Sequence, residues 1–153
     1  MIEKRIRELG YELPEPATPA FSYVPVVVHN GFAFVSGQLP KVDGEVRLTG
    51  KVGAEVTIEQ AQESARICIL QGLSCLKQAL GSLDKIVRIV KVTGFVNSAP
   101  GFNQQPKVMD GASKLLIDIF GEAGQHARSA VGAPELPRDT PVEVEMIVAV
   151  KTD

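Results

Sequence analysis

The longest helical pattern in the chain begins at Ile58. Ile58, Ala61, Ala65, Cys68, Ile69, Leu73, Leu76 and Leu80 recur at the spacing of one buried helix face. Thr57 stands where an N-cap belongs, Gln60 completes a capping box with it, and Gly81 supplies the stop. Gly72 inside this helix costs about 1 kcal/mol against alanine, which points to close packing on a sheet. A second amphipathic helix is predicted from Val108, Ala112, Leu115, Leu116, Ile119 and Phe120, closed by Gly121. A short one is predicted from Ile2 to Leu9, ended by Gly10. The next stretch, Leu13-Pro14-Glu15-Pro16-Ala17-Thr18-Pro19, must run extended. Strand patterns occupy Tyr23 to His29 and Phe32 to Ser36, joined by the hairpin signal Asn30-Gly31. Pro25 inside the first run removes a ladder donor and favours an edge or a bulge. A turn at Asp43-Gly44 leads into a predicted short strand, Glu45 to Leu48. Further strands are predicted over Ile86 to Val96, Ala127 to Ala133 and Val142 to Lys151.

The order is hairpin, helix, strand, helix and two strands. It fits an α/β (α+β) domain, a mixed β-sheet with two helices packed on one face. Residues 1–153 read as a single domain, with 1–19 an N-terminal helix and Pro-rich tether. In the last strand Val142, Val144, Met146, Val148 and Val150 form one wholly apolar face, while Ile147 and Ala149 make the opposite face partly apolar. Two helices cover only one side of a sheet, so the second face is expected to be buried against another subunit.

Composition narrows the functions. The 153 residues are 44% hydrophobic and 22% charged, as a globular domain requires. The net charge of −2 is too balanced for a broad nucleic-acid footprint. The longest apolar run, Met146 to Val150, is far short of the ~20 residues of a membrane span. Met1 to Arg7 carries charges where a secretory signal needs its apolar core, so the expected location is cytoplasmic. Cys68 and Cys75 share one helix at about 10 Å separation, too far to bridge. His29 and His126 sit apart from them, leaving no metal-ligand cluster.

On a sheet face that meets other subunits, charged side chains are costly unless paired or functional, which singles out Arg128, Glu143 and Glu145. Arg128 can grip a carboxylate through two parallel hydrogen bonds. The competing reading is an intersubunit salt bridge to Glu143 or Glu145, and residue type alone favours it. Ser36-Gly37-Gln38-Leu39-Pro40 ends a strand with a hydroxyl, a flexible glycine and an amide, able to present N–H groups to an oxyanion or to form an ordinary turn. Tyr23 offers a hydroxyl to a ligand or packs beside the hairpin. His126, next to Arg128, either titrates near a pocket or, as a lone loop histidine more often does, is simply solvated. No Gly-rich phosphate loop and no Ser-His-Asp set is present.

The segments SYVPVVVHNGFAFVSGQLP and ARSAVGAPELPRDTPVEVEMIVAV resemble the RidA/YjgF family of reactive-intermediate deaminases, formerly labelled endoribonuclease L-PSP. The resemblance implies a chorismate-mutase-like fold and a homotrimer with a central barrel and three intersubunit clefts. It implies cofactor-free and metal-free hydrolysis of enamines and imines such as 2-aminoacrylate to 2-keto acids and ammonia. Residue by residue, it makes Arg128 the carboxylate-binding arginine, Glu143 the glutamate that positions water, Ser36 and Gly37 the strand-end contacts, and Tyr23 the cleft tyrosine. Ala130 stands where the family usually has cysteine, and His126 where it usually has proline or alanine. Two further functions remain open. One is a non-catalytic small-carboxylate or 2-keto acid sensor using the same cleft. The other, ranked last, is the ribonuclease of the older label, for which the sequence offers no His pair and no basic groove.

Overall fold

The computed structural model describes residues 1–16, 18 and 22–152. Positions 17 and 19 of the expected tether lie outside them. In chain order the elements are α1 (Ile2–Glu8), β1 (Val26–His29), β2 (Phe32–Gln38), β3 (Lys41–Val42), β4 (Glu45–Val46), α2 (Ile58–Leu80), β5 (Ile86–Asn97), α3 (Gln105–Phe120), β6 (Ala127–Ala133) and β7 (Val142–Val150).

Five strands form one mixed sheet in the order β1-β2-β7-β5-β6, and β3 pairs only with β4. All neighbours in the large sheet are antiparallel except β5 and β6. A parallel pair needs a crossover, and α3 supplies it. The hairpin turn works because Asn30 and Gly31 both take positive φ, 51° and 81°, the geometry that matches strand twist. The first strand is shorter than its pattern: β1 starts after Pro25, whose carbonyl instead accepts from the Ser36 N–H at 2.9 Å. Tyr23 therefore lies ahead of the strand. The ring that denies proline a ladder donor sets the start of the pairing. The run from Glu45 to Leu48 likewise pairs only over Glu45–Val46.

Thr57 and Gln60 form the expected capping box on α2, and Gly81 ends the helix with φ of 85°. Helices α2 and α3 pack on one face of the sheet, and α1 adds a third helix through Ile6, 1% exposed. The alternating valines of β7 and Met146 lie in this core at 6% exposure or less. Gly72 explains how close the layers come, because a Cβ there would lie 2.7 Å from Met146 Cε. Cys68 and Cys75 are both buried and are not bridged to one another. One buried polar residue ties the far end of β5 to its surroundings. Asn97 is fully buried, its Nδ2 donates to Gly50 O, Asp139 Oδ1 and Thr140 O at 3.3, 3.0 and 3.1 Å, and its Oδ1 accepts from Lys51 Nζ at 3.0 Å.

Among the described residues no helix packs on the other face of the sheet. Val27, Phe32, Phe34 and Val131 are 40 to 50% exposed there, beside Ile147 and Ala149. No helix among the described residues is long and apolar enough to cross a membrane.

Candidate functional site

The residues singled out in the sequence fall into two groups, on opposite faces of the sheet. The first group is built around Glu143. In β7 the parity that buries Val142 and Val144 in the helix layer sends Glu143 to the helix-free face. Beside it, β2 continues through Ser36, Gly37 and Gln38, so this segment is part of the strand rather than a turn after it. Its register against β7 shifts between Val35 and Gln38, and the irregularity brings Gly37 under the glutamate. A Cβ on Gly37 would sit 2.1 Å from Glu143 Oε2 and 3.0 Å from its Cδ. Only glycine leaves room for the carboxylate to lie on the backbone.

Ser36 acts on the neighbouring segment. Its Oγ donates to Val24 O at 2.7 Å while its N–H donates to Pro25 O. The hydroxyl is thus spent on fixing the stretch that carries Tyr23, whose side chain is 52% exposed. Glu143 accepts no hydrogen bond among the described residues. Partial burial, and after it the nearby Glu145 charge, push its carboxyl up from the ordinary value. An unpaired carboxyl with a raised proton affinity, open on one side, can take and return a proton.

The second group is built around Arg128. Arg128 stands opposite Val92 in the parallel β5/β6 ladder, and Val92 is wholly in the core, so the arginine points toward the helices. Its Nη1 donates to Asp110 Oδ1 at 2.9 Å and to Ser113 Oγ at 3.2 Å, both on α3. Asp110, not Glu143 or Glu145, is the partner of Arg128 within the chain. Ser113 Oγ lies 2.9 Å from His126 Nε2, and His126 Nδ1 lies 2.6 Å from Gly124 O. A carbonyl only accepts, so Nδ1 carries the imidazole proton. Nε2 then accepts from the Ser113 hydroxyl, whose oxygen in turn accepts from Arg128. Burial, then the Arg128 charge, lower the proton affinity of His126, against the opposing effect of its bond to Gly124 O. The expectation of a solvated loop histidine is therefore corrected: His126 is half-buried and bonded at both nitrogens. Ala130, opposite Gly94 in the ladder, packs against the core on the same side as Arg128.

The sheet itself separates the two groups; on the helix-free face Phe95 stands opposite Glu143 on one neighbouring strand and Val131 on the other. One chain therefore brings Tyr23, Ser36, Gly37 and Glu143 to one region and leaves Arg128 outside it. Sequence reasoning missed Asp110 and Ser113. Their spacing of three residues, beside the apolar stripe of α3, was the available signal that they share a helix edge.

The family model described as "YjgF/chorismate_mutase-like, putative endoribonuclease" matches residues 3–149. Protein TCP17 of Trypanosoma cruzi is 45% identical over 148 residues, covering 96% of this chain and 92% of its own length. A 2-iminobutanoate/2-iminopropanoate deaminase of Dermatophagoides farinae is 31% identical over 116 residues, covering 74% of this chain and 84% of its own. The crystal structure of the protein Atu1372 from Agrobacterium tumefaciens matches with a TM-score of 0.91 at 43% identity, covering 98% of this chain and 93% of that one.

Proposed function

The chain belongs to the YjgF/chorismate mutase-like family, and on that footing we propose that it is a cytoplasmic imine deaminase, working as a homotrimer with its sites in clefts between copies. The observation that carries this reading is the opposition of the two groups. Arg128 and Glu143 face opposite sides of one sheet, so a single small ligand touches both only where two chains meet. The exposed apolar residues of the helix-free face give the copies a reason to meet. The likeness to a 2-iminobutanoate/2-iminopropanoate deaminase supplies the substrate class.

In this reading Arg128 of one copy holds the carboxylate of a 2-imino acid, such as the tautomer of 2-aminoacrylate, through its free Nε and Nη2 donors. Gly37, Ser36 and Tyr23 of a neighbouring copy present the imine carbon to water beside Glu143. Glu143 takes a proton from water as the oxygen adds to that carbon, and the C=N electron pair moves onto nitrogen. Glu143 then returns the proton to the nitrogen. The C–N bond breaks, ammonia leaves, and the hydroxyl loses its proton as the keto group forms. An iminium carbon is already electrophilic, so orientation and one proton carrier suffice, and neither cofactor nor metal is required.

The test generates 2-aminoacrylate with a pyridoxal-phosphate lyase and follows pyruvate and ammonia. The wild type is expected to speed their release, and Glu143→Gln and Arg128→Ala to lose that effect while keeping the oligomer. No acceleration by the wild type, with the protein still stabilised by pyruvate or 2-oxobutanoate, would replace the enzyme reading with that of a carboxylate-binding module.

A further inference from the structure

The partner of Arg128 carries information about the ligand. Of the five guanidinium N–H groups, the two on Nη1 are engaged by Asp110 and Ser113. Among the described residues Nε and Nη2 have no partner, and these two form a fork that fits one carboxylate. Asp110 Oδ1 is bonded to the arginine, whereas Oδ2 has no partner among the described residues, and the Asp110 side chain is 48% exposed. Any carboxylate on the free fork thus shares its guanidinium with a second, fixed carboxylate.

We propose that Asp110 makes the Arg128 site selective for α-zwitterions, the 2-amino and 2-imino acids, over 2-keto acids. The inference rests on Arg128 as the carboxylate anchor and adds the group that reads the neighbouring atom. Arg128 and Asp110 cancel in charge. A 2-keto acid brings a second negative charge to the pair, and its keto oxygen can only accept, so it finds no donor in Asp110. A 2-imino acid in its iminium form brings no net charge. Its N–H groups stand one carbon away from the carboxylate, and in this assignment the unpartnered Asp110 Oδ2 accepts from them. Discrimination then has an attractive and a repulsive part, the arrangement that separates close analogues best.

The chain Arg128, Ser113, His126 and Gly124 supports this selectivity mechanically. It fixes Nη1 on the α3 side, so the fork that stays open is Nε with Nη2. The same arrangement favours departure of product. When the iminium nitrogen is replaced by oxygen, the contact with Asp110 turns from a charge-assisted hydrogen bond into two opposed acceptors.

The experiment compares L-alanine with pyruvate, which differ at the second carbon, by calorimetric titration of the intact oligomer. The wild type is expected to prefer alanine. In Asp110→Asn, alanine should weaken and pyruvate tighten, each by about tenfold for a half-exposed charge. Asp110→Glu keeps the charge and should keep the wild-type preference, and thermal unfolding of each variant separates lost binding from lost folding. An alanine-to-pyruvate ratio that is the same in wild type and Asp110→Asn, with both ligands still dependent on Arg128, would overturn the assignment and leave Asp110 a structural partner only. Binding that survives Arg128→Ala would overturn the carboxylate anchor itself, and this inference with it.

Discussion

Replacing Gly37 with alanine separates the chemistry of the site from its stability. The added methyl would lie 2.1 Å from Glu143 Oε2, where a relaxed contact needs about 3.5 Å. The carboxylate must retreat by roughly 1.4 Å, the difference of those two distances. Gly37 is not among the residues with positive φ, so alanine brings no backbone strain of its own and the whole effect falls on Glu143. That side chain is half-buried and open on one side, so it swings away instead of breaking the core. The cost should be about 1 kcal/mol, at the low end for overpacking, or a fall in Tm of about 2–4 °C for a chain of this size. A displacement of this size at a reacting group can cost about 10²-fold. The coupled 2-aminoacrylate assay should show kcat/KM reduced by about 10²-fold in a protein that still folds and assembles. Adding Glu143→Gln to Gly37→Ala should cost little more, since the two changes act on one carboxylate. Full activity in Gly37→Ala, or losses that multiply in the double variant, would refute the placement of Glu143 over Gly37 as the working geometry.

Other parts of the structure make separate predictions. The folded state binds fewer protons at His126 than the unfolded chain does, because its proton affinity is lowered on folding. Stability therefore falls as pH drops below about 6.5, the ordinary histidine value, and levels off below the folded value. His126→Gln should flatten that slope in urea melts between pH 5 and about 8, and an unchanged slope would contradict the burial of the imidazole. Asn97→Ala strands two buried carbonyls, Gly50 O and Thr140 O, and takes one of its acceptors from the Lys51 ammonium. Its unfolding free energy should drop by about 3 kcal/mol, and a loss within error in thermal melts would mean that the hub carries no load. Thr57→Ala removes the side chain that accepts from Gln60 N at 3.1 Å. It should cost about 1 kcal/mol in denaturant melts, with the site unaffected; a loss of activity at full stability would contradict a purely local cap.

The elements were legible where one residue does one physical job. Thr57, Gln60 and Gly81 bound α2 because caps are local chemistry. Asn30-Gly31 marks the hairpin because few residues accept its two positive φ angles. The alternation of β7 shows because one face is continuously apolar. Arg128 was legible as a residue but not as a direction. Ala127 to Ala133 holds small residues at both parities, so its pattern prefers neither face, and the register is fixed by pairing with β5 and by the length of the turn after α3. That register turns Arg128 toward α3 and Asp110, and so places it apart from Glu143. His126 was misread for the same reason, since its partner Ser113 comes from a different element. Glu143 over Gly37 depends on a register shift in β2 that no local pattern announces.

If Arg128 and Glu143 of different chains serve one site, two variants that are each inactive should restore activity when their chains mix. Arg128→Ala and Glu143→Gln chains are unfolded together in equal amounts, refolded, and assayed on freshly generated 2-aminoacrylate. In a randomly mixed ring of three, about one quarter of the clefts would join an intact Arg128 to an intact Glu143. Recovery of about a quarter of wild-type activity is expected, with none in either variant refolded alone. A mixture as inactive as its parts, at full recovery of folded oligomer, would contradict a shared site.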